Sequence, residues 1–246
     1  MSELKQIIIT GVSSELGSVL AEELGREPGI RIIATMRRKK PAGYKMTRNI
    51  HLIDECDLAK VECCKEVADT AKKLFTGSFG FVHSVGDFWE HVPFLKFSSS
   101  QASRMFESHV TTFYNVLQSL IPVLQAKGGG SCVAFSCNSV RYNYPWMASF
   151  TASKSAVDSL VRSLANEFSG DKIRFNSLVL ASVRTKKVLR SKPHGDFAHF
   201  IPPKDILPVV KFLLSEDAYL VNGNTINLFI HSERFFRSGY FDRIAK

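Results

Sequence analysis

The chain has 246 residues, a formal net charge of +9 at pH 7 and 45% hydrophobic residues, which is enough for one α/β domain spanning 1–246 with an ample core. No apolar run reaches the ~18 residues of a membrane span, and the opening Met1 to Gln6 lacks the build of a secretion signal. Five cysteines without metal or disulfide spacing suit reduced thiols, so a cytoplasmic address is expected, with no membrane and no metal.

Gln6 to Thr10 reads as a buried strand around Ile7-Ile8-Ile9. Gly11 to Gly17 then turns into a helix with Leu16, Leu20 and Leu24 on one face. A strand, a Gly/Ser turn and a helix make a mononucleotide-binding unit. Gly11 permits the sharp turn, and the helix start offers N–H groups and a dipole to a diphosphate. Thr10, Gly11, Ser13, Ser14, Leu16 and Gly17 are therefore candidate cofactor contacts.

Ile30 to Thr35 is a second strand, running into Arg37-Arg38-Lys39-Lys40. In dinucleotide folds an acidic residue here holds the ribose diol, whereas arginine accommodates a 2′-phosphate. Arg37 and Arg38 thus favour NADP(H) over NAD(H). Elsewhere the basic residues are scattered, and no helix carries a basic stripe with interleaved aromatics, so nucleic acid is not an expected partner. An anionic cofactor or an acyl-carrier-bound substrate suits the charge better.

Ile50 to Ile53 is a third strand, followed by Asp57 and a helix over Val61–Leu74. Phe79 to His83 is a fourth, ending in His83-Ser84-Val85-Gly86. Met105 to Leu124 reads as one long amphipathic helix. Gly128-Gly129-Gly130 leads into a fifth strand over Cys132–Ser136, and Cys137 follows it. From Phe150 a helix carries Lys154, Val157, Leu160, Val161 and Leu164 at helical spacing. Ile173 to Leu180 is a sixth strand, Lys186 to Phe200 a polar loop, Pro202 to Leu214 a helix, and Thr225 to Ile230 a last strand. An aromatic, basic tail begins at Phe235.

These segments resemble the short-chain dehydrogenase/reductases, ketoacyl-reductase-like members in particular, over essentially the whole chain. Thr10-Gly11 and Gly17 match the family's T-G-x-x-x-G-x-G, with Glu15 in place of the middle glycine. Asp57, Gly86, Ser153-Lys154, Asn176, Thr185 and Asn222-Gly223 match further motifs. The resemblance implies a Rossmann-type doubly wound α/β fold with a seven-stranded parallel sheet. It implies that Asp57 contacts adenine, Lys154 the nicotinamide ribose and Thr185 the carboxamide. It also implies homo- or hetero-oligomers through the 105–124 and 150–168 helices.

The catalytic positions depart from the pattern. The family tyrosine is Phe150 and the family serine is Cys137, while His109 takes the place of an asparagine. A phenyl ring can neither give nor take a proton. One reading is a cofactor-binding protein with impaired or absent carbonyl reduction, acting as a partner subunit of an active reductase. Another is a working reductase with a relocated donor, for which Tyr144 is the candidate. A third is a non-redox dehydratase or cyclase on the same scaffold. His83 can be read either as a base or as a packed side chain.

Overall fold

The structure is a computed structural model that describes residues 5–42, 46–87, 91–191, 197 and 200–229. The chain alternates strands and helices: β1 (Gln6–Thr10), α1 (Glu15–Gly25), β2 (Arg31–Thr35), β3 (Ile50–Ile53), α2 (Val61–Leu74) and β4 (Phe79–His83) form the first half. There follow α3 (Ser99–Phe106), α4 (Thr112–Ala126), β5 (Gly130–Cys137), α5 (Ser139–Tyr142), α6 (Ala148–Glu167), β6 (Ile173–Leu180), α7 (Lys186–Ser191), α8 (Leu207–Leu214) and β7 (Thr225–Leu228). The strands make one parallel sheet in the order β3-β2-β1-β4-β5-β6-β7. The doubly wound, seven-stranded expectation is met.

Parallel strands covered on both faces read as continuous apolar runs, and the core divides accordingly. On one face, α2, α4 and α6 pack Val67, Phe113, Val116, Val157 and Val161 against Phe79, Phe81 and Phe175, with Phe75 just past the end of α2. On the other, Leu20 and Leu24 of α1 and Val210 and Leu213 of α8 meet Ile7, Ile9, Val82 and Val133. Each such buried side chain stabilises the fold by roughly 1.5–3 kcal/mol before entropy is counted.

Three expectations need correction. The long helix from Met105 is interrupted: α3 passes into α4 through a π-helical segment, Glu107–Thr111. The loop expected over Lys186 to Phe200 contains the helix α7, whose first turn is tied by Thr185 Oγ1 accepting from Val188 N at 3.2 Å. The fifth strand is longer at both ends, because it is paired along all eight residues with β6. The last strand is seen to Leu228; Ile230 and the tail from Phe235 lie outside the described residues.

After β3 the chain crosses from one side of β1 to the other, so β1 and β4 are neighbours that leave in opposite directions. A crevice outside the carboxyl ends of such strands is where open α/β sheets bind ligands. The ends of β1, β2, β4, β5 and β6 bring Thr10, Thr35, His83, Cys137 and Leu180 to this one edge.

Candidate active site and cofactor cleft

The glycine turn is built as its sequence requires. Gly11 has φ +79, and its N–H and that of Val12 both donate to Thr35 O, at 3.1 and 3.0 Å. Ser14 caps α1, its Oγ accepting from Gly17 N at 3.0 Å and donating to Gly11 O at 2.8 Å. A Cβ on Gly17 would lie 2.5 Å from Ser84 Oγ and 2.6 Å from Gly11 O, so only glycine lets α1 press this closely on the end of β4. The remaining first-turn amides of α1 have no intrahelical partner. Glu15 does not lie over this cradle: its Oε2 accepts from Lys186 N at 2.6 Å.

Arg37 and Arg38 are exposed at the end of β2. Arg37 Nη1 is 3.9 Å from Asp87 Oδ2, with both side chains 56% exposed, a pairing too solvated to hold the guanidinium firmly. Asp57 Oδ1 accepts from Ala59 N at 3.2 Å, an Asx turn. Asp57 does not cap α2, whose N-cap is Lys60. The residues present thus fit a dinucleotide phosphorylated on its ribose: an open amide cradle, two exposed arginines and a lysine further along the same edge.

That lysine is Lys154. Its Nζ donates to Phe135 O at 3.0 Å. Burial pulls its pKa down to about 8, with Cys137 and Asp158 pulling the other way. A Cβ on Gly86 would stand 3.4 Å from Lys154 Nζ and 2.7 Å from His109 Cδ2, so Gly86, Lys154 and His109 converge. Cys137 gives its S–H to Asn138 Oδ1 at 3.4 Å.

Phe150, one helical turn before Lys154, is 8% exposed. Its ring meets His109 edge-on, with centroids 5.3 Å apart at 85°. His109 Nε2 lies 2.8 Å from Asp87 O, and Nδ1 lies 2.8 Å from Ser153 Oγ. A carbonyl can only accept, so Nε2 carries the proton, and Nδ1 and Phe150 O, also 2.8 Å from Ser153 Oγ, compete for the one hydroxyl proton of Ser153. Burial, followed by the charge of Lys154, holds the imidazole neutral, with its pKa down at about 2.

His83 proves to be a packed histidine. It is 3% exposed, with Nδ1 3.0 Å from Thr10 Oγ1 and Nε2 3.4 Å from Thr112 Oγ1. Burial lowers its pKa to about 3, with Lys154 adding to the effect. Both ring nitrogens face side chains of the interior.

Tyr144 lies in the same small cluster as Met105, Met147 and Phe150. Its hydroxyl accepts from Asn138 Nδ2 at 3.0 Å, and its ring stacks on Tyr142 with centroids 5.8 Å apart. It is 7% exposed. Burial pushes its pKa above the ordinary phenol value, helped by Cys137 and Tyr142. That direction is the wrong one for a proton donor at neutral pH.

A small, solvent-open depression of about 20 Å³ adjoins Phe150, lined by Val92, Phe94, Phe97, Met105, Trp146 and Met147 among others. Val92 N donates to Trp146 O at 3.0 Å, and Trp146 sits at φ +61, a strained setting for an aromatic residue. Sequence reasoning gave Ser153 no role beyond its motif match, and gave none to Asp87, Asn138 and Asp158. Only Ser153 had a signal, its place beside Lys154 in a matched motif. The others act through backbone oxygen, an amide or a buried carboxyl that no spacing marks.

Among the described residues, no cluster of His, Cys, Asp and Glu could hold a metal, and no helix is long and apolar enough to cross a membrane. All five cysteines are free.

Residues 5–194 match the family model of the short chain dehydrogenases. A tropinone reductase homolog of Arabidopsis thaliana is 25% identical over 240 residues, covering 89% of this chain and 86% of the relative. A short-chain type dehydrogenase/reductase from Mycobacterium ulcerans superposes with a TM-score of 0.83 at 23% identity, covering 93% of this chain and 90% of that one. A tyrosine-to-phenylalanine variant of ElxO with NADPH bound also superposes at a TM-score of 0.83, at 18% identity, covering 91% and 96% of the two chains. The cleft geometry and the span of the family match lead to one statement: this chain belongs to the short-chain dehydrogenase family of oxidoreductases.

Proposed function

We propose that this chain is an NADP(H)-binding member of the family in which carbonyl reduction is impaired or absent, serving as a partner subunit of an active reductase. The observation that carries this reading is Phe150. At the position of the family's proton-transfer tyrosine stands a buried ring against a neutral histidine. When bound, the nicotinamide supplies hydride. The chain would bind it through the glycine turn, orient its ribose through Lys154 and meet the 2′-phosphate with Arg37 and Arg38. Among the described residues, none then stands in the tyrosine's place to deliver a proton at the substrate oxygen. Loss of a positioned general acid lowers a rate by ~10²–10⁴, equivalent to ~3–5 kcal/mol of barrier.

Two further observations support the reading. Tyr144, the alternative donor, is buried, and that burial raises its pKa against the bond it accepts from Asn138. The ElxO variant carries NADPH with a tyrosine replaced by phenylalanine. The substrate side takes a small carbonyl or an acyl-carrier-bound group, the second of which suits the +9 charge. Phe106 and Tyr114, 38% and 49% exposed on α3 and α4, offer apolar surface for a homo- or hetero-oligomer. We place the protein in the cytoplasm.

The test is calorimetric titration with NADPH and NADH, followed by a carbonyl panel monitored for NADPH consumption. Tighter binding of NADPH without consumption is expected. Turnover that disappears in Tyr144→Phe would establish the relocated donor instead. Conversion of a substrate without added cofactor would assign the non-redox reading.

A further inference from the structure

Glu15 is the residue of the glycine turn least like the family's, and its side chain has a specific destination. It is the first residue of α1, where the dipole of that helix would favour a carboxylate facing its own free amides. Instead its Oε2 reaches across to accept from the backbone N–H of Lys186 at 2.6 Å. This is a short, charge-assisted bond. It joins residues 171 positions apart in the chain, on opposite lips of the cleft.

The far lip is also tied to itself. Arg184 N donates to Ile201 O and Ile201 N to Ser182 O, both at 2.9 Å, and Thr185 accepts from Val188 N. Those bonds shape the segment without anchoring it to the glycine turn. The segment carries Thr185, the position that meets the carboxamide in the family. A glycine at position 15, as in the family, would have no side chain with which to reach it.

We propose that Glu15 is a positioning residue that latches the cofactor cleft, fastening the Thr185 segment to the glycine turn so that dinucleotide entry and exit wait on the breaking of this bond. The inference rests on the cofactor reading given above, and its test separates the two. Hydrogen exchange by mass spectrometry on the cofactor-free protein reports the fastening. Stopped-flow displacement of NADPH reports its consequence. Wild type, Glu15→Gln and Glu15→Gly are compared.

The Lys186 amide is expected to exchange about 5-fold faster in Glu15→Gly, the effect of losing one solvent-exposed charged bond. Glu15→Gln, which keeps an acceptor oxygen, should fall between. NADPH dissociation should quicken in the same order. Unchanged exchange overturns the latch. Faster exchange with unchanged or slower dissociation also overturns it, since Glu15 would then act only as a charge near the diphosphate. Binding of NADPH by Glu15→Gly alone would support a latch closed against entry. Exchange as expected with no NADPH binding in any variant would uphold the fastening and remove the cofactor reading.

Discussion

Phe150 and Lys154 lie one helical turn apart and make opposite statements about the site. The lysine keeps its amine at the convergence of Gly86 and His109, while the ring beside it has no proton to move. If the scaffold is otherwise competent, the double change Cys137→Ser with Phe150→Tyr should raise NADPH-dependent carbonyl reduction by ~10²-fold or more. A steady-state assay of that variant against wild type checks this, and no gain would implicate His109, in the asparagine's place, as a second block. Lys154 also makes a stability prediction. Its folded pKa of about 8 lies below the ordinary 10.5. The unfolded chain therefore holds more protons between those values, and stability rises with pH across that window. The penalty for the buried ammonium is fully present below pH 8. Lys154→Met should raise the melting temperature at pH 7, flatten its rise between pH 8 and 10.5, and weaken NADPH binding by ~10-fold or more. Melting curves at several pH values and a titration measure both effects.

At the scale of elements, the π-helical segment between α3 and α4 is where the family's asparagine position becomes His109. A π turn adds a residue to the local repeat and frequently marks a functional position. Here it carries an imidazole that bonds Asp87 O and Ser153 together. His109 and His83 both have folded pKa values below the ordinary 6.5. They add stability above pH 6.5, and that stability is lost as pH falls below 6.5 toward the folded values, because the unfolded state binds the protons first. The double variant His83→Asn, His109→Asn should lose less stability between pH 6.5 and 4 than wild type, read from urea midpoints. On α6, Asp158 is 4% exposed, and its Oδ2 accepts from Ser136 at 3.0 Å. Burial raises its pKa against the hydroxyls of Ser177 and Ser136, so its contribution to stability falls as pH rises above 3.8. Asp158→Asn removes the charge at constant shape and should raise stability at pH 7 by ~1 kcal/mol, with the gain shrinking toward pH 4. A chemical denaturation series would show it.

For the whole molecule, the order β3-β2-β1-β4-β5-β6-β7 puts every loop with a candidate function at one edge of the sheet. The opposite faces carry the stability. Phe113 is fully buried between Phe81 and His83, with ring centroids 6.5 and 5.0 Å away. Phe113→Ala should cost ~3–5 kcal/mol, measured by urea unfolding, without touching the cleft directly.

Periodicity alone located α2, β4 and β6 to the residue, since a parallel strand must be apolar throughout and a surface helix apolar on one stripe. The glycine turn was equally legible, because Gly11 and Gly17 answer backbone demands that no other residue meets. Helix α7 and the π segment were not. The first is stabilised by a side-chain bond from Thr185 and a reach from Glu15, 171 positions away, and the second by burial of His109 in the interior. The amino-acid order by itself determined the fold and the loss of the tyrosine hydroxyl, because those depend on local spacing and residue chemistry. Only the tertiary structure decided where Glu15 points, that His83 is core, and that Tyr144 is buried and raised in pKa, because burial and long-range partners set a polar group's fate and neither is written in its neighbours along the chain.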